Sequence, residues 1–542
     1  MTPCCPGARL AKLGRARCAR GVAAEDRRLA DETSLESTLR DLHCRMTRLQ
    51  AHPAVGAPAL AVPEWDRLLW RIGRDQVATR RPALSQDLAP ARRPARDVYL
   101  ATQVYEIGGH TALIGDMVRA RPAADASIIV SNLLEQNPPT VPDVIVSRLG
   151  VPSARVRVLP GPSLADRLGQ LLDVLEAVQP DTLFLFHHPQ DPLACLVSQP
   201  ELARRRLLLH HADATPSFGL SLPGVTLVDL SPSALANTRL LGRGSVLLPL
   251  TAPDPGPRPA GFLARGRLVT ASSGSAHKFA GPDAPGYAET VALVLEATRG
   301  WHLHIGPLPD ETLAGVAAAI AARHVDPDRF IYVRSTPSVA TALMEQGCDI
   351  YLASFPIDGA RTKVEVLASG TPYVRHSRYL PIEGDPSIDA EGFFVWRSCD
   401  DLLSILDHLS TPDELRVHGT LARRRYEQNH HPEVFARRLD LIVQGVVPPD
   451  PVDGQALLTA MMRTVRAMAS TRLDEATLAD RVDGLESRME TAVPALGVLE
   501  HEVERLRVAL DEAEARADAA RLAGSEVERP FAQRLWNRLR RS

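Results

Sequence analysis

Lysine is nearly missing from this chain. Of its 62 basic residues only three are lysines, Lys12, Lys278 and Lys363, so basic surface positions are filled by arginine almost by default. A lysine kept against that bias marks a place that needs a compact, mobile point charge, as phosphate sites do. Other scarcities exclude whole classes of function. No apolar run approaches the ~20 residues of a membrane-spanning helix. The basic N-terminus, MTPCCPGARLAKLGRARCARGV, lacks the apolar core of a secretory signal, so a cytoplasmic location is expected. Cysteines 4, 5, 18, 44, 195, 348 and 399 are odd in number and show no metal-type spacing, as expected of reduced thiols. A net charge of −3 gives no electrostatic footprint for nucleic acid. No acidic pair is spaced to hold a divalent ion, and no metal site is assigned.

What is present is organised around CDIYLASFPIDGARTKVEVLASGTPYV, Cys348 to Val374. An apolar run, Ile350–Ala353, suits a buried strand. Pro356 and Gly359 then force a turn. Thr362–Ser369 follows as a helix with Val364, Leu367 and Ala368 on one face, stopped by Gly370. A helix start offers free N–H groups and the positive end of the dipole, which suits an anion. Asp358, Gly359, Arg361, Thr362 and Lys363 surround that start, and Glu365 lies one turn inside, able to take a ribose hydroxyl. An ordinary strand–helix turn with solvated basic residues would look the same. Lys278 sits in a second turn of this kind, SSGSAHKF.

Taken in order, residues 1–95 are Arg/Ala-rich, with 1–25 expected to be disordered. Helical patterns occur at Leu35–Leu49, after a Ser34 cap, and at Trp65–Ile72. From Asp97 strands and helices alternate, which predicts an α/β domain with a parallel sheet over 96–250. Strands are expected at Val98–Thr102, Ser127–Val130, Val156–Leu159, Thr182–Phe186, Leu207–Leu209, Thr226–Val228 and Val246–Leu248. The Pro/Gly-rich stretch 251–266 is a linker, and the alternation restarts over 267–445. Two such sheets place a cleft between them, with ligands beyond the carboxyl ends of the strands. The turns YEIGGH, SSGSAHK and FPIDGARTK all lie at such ends. A linker helix over 446–475 leads to a 4-3 heptad from Leu478 to Ala520, read as a coiled coil over 476–523 that joins copies into a homo-oligomer. A single helix folded back on the body is the alternative. The basic amphipathic tail 524–542, with Trp536 among arginines, suits either peripheral contact with an anionic membrane or plain solvation.

At the three turns the chain resembles a two-domain glycosyltransferase of the GT-B type, most like the branch of O-GlcNAc transferase and bacterial protein N-glucosyltransferases. SFPIDGARTKVEVLASGTPYV is similar to that branch's nucleotide-binding block, with Lys363 where a second Thr is usual. The resemblance covers about residues 96–445. It implies two Rossmann-like domains and an enzyme, a hexosyltransferase-type glycosyltransferase, using UDP or another nucleoside-diphosphate sugar as donor. It also implies inversion and no metal or other cofactor. Carried over residue by residue, Gly359, Arg361, Thr362, Lys363 and Lys278 face the diphosphate and Glu365 the ribose, with Asp358 among the nucleotide-sugar-binding residues. Gly108, Gly109 and His110 form the first-domain loop whose histidine faces the reaction centre.

His110 is the candidate base or orienting group, unless it simply braces its Gly-rich turn. FLFHHPQD and LLLHHADA end two first-domain strands; adjacent residues on a strand point to opposite faces, so at most one histidine of each pair faces the cleft. His188 and His211 are taken as acceptor-side residues, with Asp213 a rival base. A zinc site would require three of these histidines to converge. His302 and His304 are read as packing residues. Expected partners are the sugar donor and a protein or glycan acceptor. A nucleotide-sugar epimerase, or an inactive scaffold working through its coiled coil, are the alternatives.

Overall fold

The computed structural model describes residues 32–50, 61–80, 94–211, 215–232, 244–280, 286–376 and 393–449, together with Ala234, Leu235 and Thr238. The expectations for residues 1–25, for Asp213, for the coiled coil and for the basic tail lie outside the described residues, as does the linker helix beyond 449. Among the described residues no helix is long and apolar enough to cross a membrane.

Two parallel sheets carry the fold. Strands β1 (Arg96–Ala101), β2 (Asp125–Val130), β3 (Val156–Val158), β4 (Thr182–Phe186), β5 (Arg205–His210), β6 (Thr226–Asp229) and β7 (Val246–Leu247) form one sheet in the order β3-β2-β1-β4-β5-β6-β7. The other sheet is built of β8 (Val269–Ser273), β9 (Trp301–Ile305), β10 (Phe330–Val333), β11 (Ile350–Leu352), β12 (Tyr373–His376) and β13 (Phe393–Trp396), ordered β10-β9-β8-β11-β12-β13. Every pairing is parallel, as in β1 on β4, where Ala101 meets Phe186, and in β8 on β11, where Thr270 meets Ile350. Helices cover both faces, so central strands are apolar on both sides: all five residues of β4 are buried.

In each sheet the chain moves outward in one direction, returns, and continues in the other. The first sheet reverses between β1 and β4, the second between β8 and β11. Such switch points leave a crevice beyond the strand ends where ligands bind. The loops after β1 and β4 hold His110 and the His187-His188 pair, and those after β8 and β11 hold Lys278 and the Gly359 turn. Both pairs of loops thus sit at their sheet's switch point.

The N-terminal helices are not an appendage. The helix Glu32–Gln50 buries Leu35, Leu39, Leu42, Met46 and Leu49, a 4-3-4-3 spacing that keeps them on one face, in one core with β1 and β4. Each such side chain is worth about 1.5–3 kcal/mol of burial as an upper estimate. This helix begins before Ser34, so Ser34 is not its cap. The second helix runs Pro63–Arg80, and its buried Asp66 accepts the N–H groups of Gly219 and Ser221, both at 2.7 Å.

The other end of the body also returns to the first domain. After the helices Cys399–His408 and Pro412–Asn429, the helix Pro432–Gln444 buries Phe435, Leu439, Ile442 and Val443 among Leu113, Met117 and Val228. Arg121 pins it, bonding Asp440 at 2.8 Å and Asp97 at 2.5 Å. The apolar stripe of this helix is visible in sequence; the surface it meets, three hundred residues earlier, is not. The linker is braced too: Thr251 Oγ1 donates to the His430 carbonyl at 2.6 Å, and Arg423 pairs with Asp254 at 2.7 Å.

Candidate active site

On the second-domain side, β11 runs into a turn containing a cis Phe355–Pro356 bond and then into the helix Ala360–Ala368. Gly359 stands at its N-cap, and among the described residues no side chain caps the amides of the first turn. Above that start lies Lys278. A Cβ placed on Gly359 would stand 3.3 Å from Lys278 Nζ and 3.0 Å from Thr362 Oγ1, so the ammonium and the hydroxyl flank the space a side chain would fill. The two loops are joined by Ile357 N–H donating to the Lys278 carbonyl at 3.3 Å. Among the described residues the Lys278 side chain makes no hydrogen bond or ion pair. Burial lowers its pKa, and Asp358 partly offsets that. The Lys278 loop also needs its glycines: a Cβ on Gly306 would meet the Gly274 carbonyl oxygen at 2.3 Å, and both residues have positive φ.

The remaining sequence candidates around this turn have other partners. Arg361 does not face the helix start; it reaches across the cleft to the Asp116 carboxylate and donates to the Thr251 carbonyl at 2.8 Å. Asp116 is almost fully buried and outcompetes solvent for that guanidinium. Asp358 accepts the Gly359 N–H at 2.6 Å and the Tyr373 hydroxyl, and so stabilises the turn. Glu365 Oε2 accepts the N–H groups of Val339 at 2.6 Å and Ala340 at 3.3 Å, capping the helix Val339–Glu345. Its Oε1 lies 3.8 Å from Arg361 Nε. Lys363 lies close enough to His430 to help lower that imidazole's pKa, which puts it on the crossover side of the helix.

On the first-domain side, the loop after β1 is held in shape by several bonds. Thr111 Oγ1 accepts the Tyr105 N–H at 2.7 Å, and Arg148 donates to the carbonyls of Glu106 and Gly108. Gly108, at φ 136°, occupies backbone space that other residues avoid, and it delivers His110 to the cleft. His110 Nε2 donates to the Phe186 carbonyl at 2.8 Å, which leaves Nδ1 as a lone pair; that nitrogen is buried and unpartnered among the described residues. The pairs split as alternation requires. His187 turns inward to the Phe218 carbonyl at 3.0 Å, and His210 bonds Asp229 at 2.8 Å. His188 and His211 turn toward His110, with ring centroids 5.3 Å and 4.7 Å from it. One ring nitrogen of each of the three lies within 4.8 Å of the others. Burial and the neighbouring imidazoles depress His110 to about 4 and His211 well below the ordinary range; burial chiefly lowers His188. The convergence that a zinc site would require is therefore present, against the assignment of no metal site.

Three supporting residues were missed in the sequence. Asp191 accepts Thr102 Oγ1 at 2.7 Å and Ser131 Oγ at 2.6 Å, while Thr102 Oγ1 takes the His188 N–H at 2.7 Å. Tyr105 stacks on His188 with rings 7° from parallel. Arg148 ends the helix Asp143–Leu149, which the pattern did not mark. Only HHPQD, an acid three residues past the paired histidines, hinted at Asp191. The two sides meet closely: a Cβ on Gly109 would stand 3.5 Å from Arg361 Cβ. His302 and His304 are core residues bonded to Thr270 and Tyr287, at 2.9 Å and 2.6 Å.

No protein-family profile and no curated protein matches this chain. Solved structures do. Anabaena Alr3699/HepE in complex with UDP superposes with a TM-score of 0.52 at 11% identity, over 65% of this chain and all of that one. Thermobaculum terrenum O-GlcNAc transferase gives 0.43 at 18% identity, over 73% of this chain and 74% of that one. The lipopolysaccharide outer core galactosyltransferase WaaB gives 0.47 at 9% identity, over 65% and 99%. The likeness to the Anabaena protein shows the fold, two Rossmann-like domains facing one cleft.

Proposed function

We propose that this protein transfers a sugar from a nucleoside-diphosphate donor, with UDP the first choice of nucleotide, to a protein or glycan acceptor held against the first domain. One observation carries this reading: the uncapped helix start at Gly359, with Lys278 Nζ and Thr362 Oγ1 over it, in the crevice at the second sheet's switch point. That arrangement suits a diphosphate. Its N–H groups, hydroxyl and ammonium are fixed before the reaction, so they stabilise the charge that develops as the sugar–phosphate bond breaks without having to reorganise. The UDP held by the Anabaena protein of the same fold supports a uridine nucleotide. Glu365 Oε1 is the oxygen left for a ribose hydroxyl, Oε2 being taken by the neighbouring helix.

Across the cleft the acceptor hydroxyl attacks the anomeric carbon from the face opposite the departing diphosphate, a single displacement that inverts that carbon. The acceptor's proton passes to His110 Nδ1, the nitrogen whose lone pair is free. In the empty site this imidazole is a weak base. The two or more negative charges of a bound donor raise its affinity for a proton, so base strength follows donor binding.

Calorimetric titration with UDP, GDP and dTDP tests the donor site. One nucleotide should bind saturably, and Lys278→Ala should weaken it at least tenfold, about 1.4 kcal/mol. Lys363→Ala should leave it within about twofold. Absence of binding by all three nucleotides, in protein that melts cooperatively, would overturn the reading.

A further inference from the structure

We propose that His110, His188 and His211 form a binding site for one divalent transition-metal ion, with Zn2+ the best match. This goes beyond the sugar-transfer reading and does not depend on its donor site; because the ion would take His110 Nδ1, that nitrogen serves as a base only in the metal-free chain. The three side chains come from three separate places, the start of the helix Gly109–Ala120 that follows β1 and the loops after β4 and β5, and yet offer one ring nitrogen each within 4.8 Å of the others. Zinc bound by three imidazoles needs nitrogens at about 2.0–2.1 Å from the ion. Reaching that geometry from the observed spacing requires the rings to turn toward one another.

The bonds each ring makes elsewhere favour a ligand set. His110 gives its Nε2 proton to the Phe186 carbonyl and His211 gives its Nδ1 proton to the Leu209 carbonyl at 3.3 Å. Each therefore presents its other nitrogen unprotonated. Backbone carbonyls behind imidazoles are a common way for proteins to fix the tautomer of a metal-bound histidine. The third, His188, has its backbone N–H held by Thr102, which Asp191 holds in turn, and its ring stacks on Tyr105, whose hydroxyl lies 3.5 Å from Nε2. The buried, unpartnered His110 Nδ1 would otherwise leave a polar atom unsatisfied, a cost that a bound ion removes. All three remain partly accessible, so an ion can enter. Three protein ligands leave a fourth position for water or a substrate oxygen, the composition of a catalytic rather than a structural zinc site.

The full chain, stripped with a chelator and dialysed, would be titrated with Zn2+ by calorimetry and with Co2+ by visible absorption. We expect one equivalent of Zn2+ per chain, tetrahedral Co2+ bands, and a loss of about 100-fold or more in Zn2+ affinity on His188→Ala and on His211→Ala. His408→Ala, in the only other cluster of this kind among the described residues, should leave uptake unchanged. UDP titration of the same variants reports separately on the donor site, so failure of one reading is distinguishable from failure of the other. Zinc K-edge absorption of the wild-type protein keeps the test independent of how the variants fold: an imidazole shell supports the site. A thiolate shell, with Zn–S near 2.3 Å, overturns it. So does the absence of stoichiometric uptake by the folded chain, or uptake insensitive to both substitutions.

Discussion

The two edges of the cleft are built from the same architecture and carry opposite chemistry. Each is the carboxyl end of a parallel sheet at its switch point, and each is reached by a glycine-containing turn. On the second domain the turn leads into an uncapped helix start beneath an unpaired lysine, a place made for negative charge. On the first domain the equivalent ground is occupied by three imidazoles that each bring one ring nitrogen within 4.8 Å of the others. The scaffold supplies position; side chains decide whether that position attracts an anion or donates electron pairs. A cleft with one edge of each kind can hold a departing phosphate on one side and a hydroxyl losing its proton on the other.

If that division of labour is right, damage to the first edge should leave the second untouched. His110→Ala is expected to lower the sugar-transfer rate by about 10²- to 10⁴-fold, the range for loss of a positioned proton acceptor. The affinity for UDP should stay within about twofold, because nothing in the donor crevice rests on this imidazole. Equal losses in rate and in UDP affinity would break the comparison.

The edges should also titrate at opposite ends of the pH scale. Burial holds His110 at about 4, and it does the same to His304 and His430, with His302 at about 3. Unfolded, such a group titrates near 6.5. Above that pH neither state binds the proton and the histidines contribute nothing. As pH falls below 6.5 the unfolded chain takes up protons that the folded chain refuses, so stability is lost down to the folded values. The loss is roughly 1.4 kcal/mol per buried histidine for each pH unit. Thermal melts between pH 7.5 and 4.5 should show a plateau and then a steep fall. Lys278 behaves in the other sense: its pKa is lowered by burial, and UDP affinity should decline as pH rises through that lowered value. A melting temperature flat down to pH 4.5 would mean that the imidazoles are solvated.

How much of this was legible before the structure follows from the range of the interactions involved. The seven strands of the first sheet could be read as short apolar runs, most plainly where a strand is buried on both faces, as TLFLF in β4 is. The turn proposed to hold the donor could be located for a similar reason: Gly359 and Thr362 lie within a few residues of one another, and the scarcity of lysine singled out Lys278, which the structure places beside them. Charge alone could not show that Arg361 is held by Asp116, a partner 245 residues away. Glu365 looked like a pure ligand residue, since the helix it caps is defined by the fold. The alternation of HH on a strand predicted one histidine of each pair at the cleft, but the meeting of His188, His211 and His110 depends on the order of β1, β4 and β5 in the sheet.

Arg361 is also where the smallest effect and the sharpest distinction lie. It sits on the donor helix, one residue from Thr362, and by position alone it belongs to the anion-binding edge. Its guanidinium instead joins the domains, held by Asp116 and the Thr251 carbonyl, with Asp116 also taking Arg119 at 2.7 Å. Arg361→Ala should therefore change UDP affinity by less than about threefold. Breaking a buried ion pair outright costs about 3–5 kcal/mol, but Arg119 remains to neutralise Asp116, so a loss of about 1–2 kcal/mol in stability is expected. Asp116→Asn should lose a similar amount, and the double variant less than the sum, because each single change already removes the shared contact. A tenfold loss of UDP affinity with the melting temperature unchanged would instead mean that the arginine leaves Asp116 for the phosphate, and that the donor edge gains its second cation only when the nucleotide arrives.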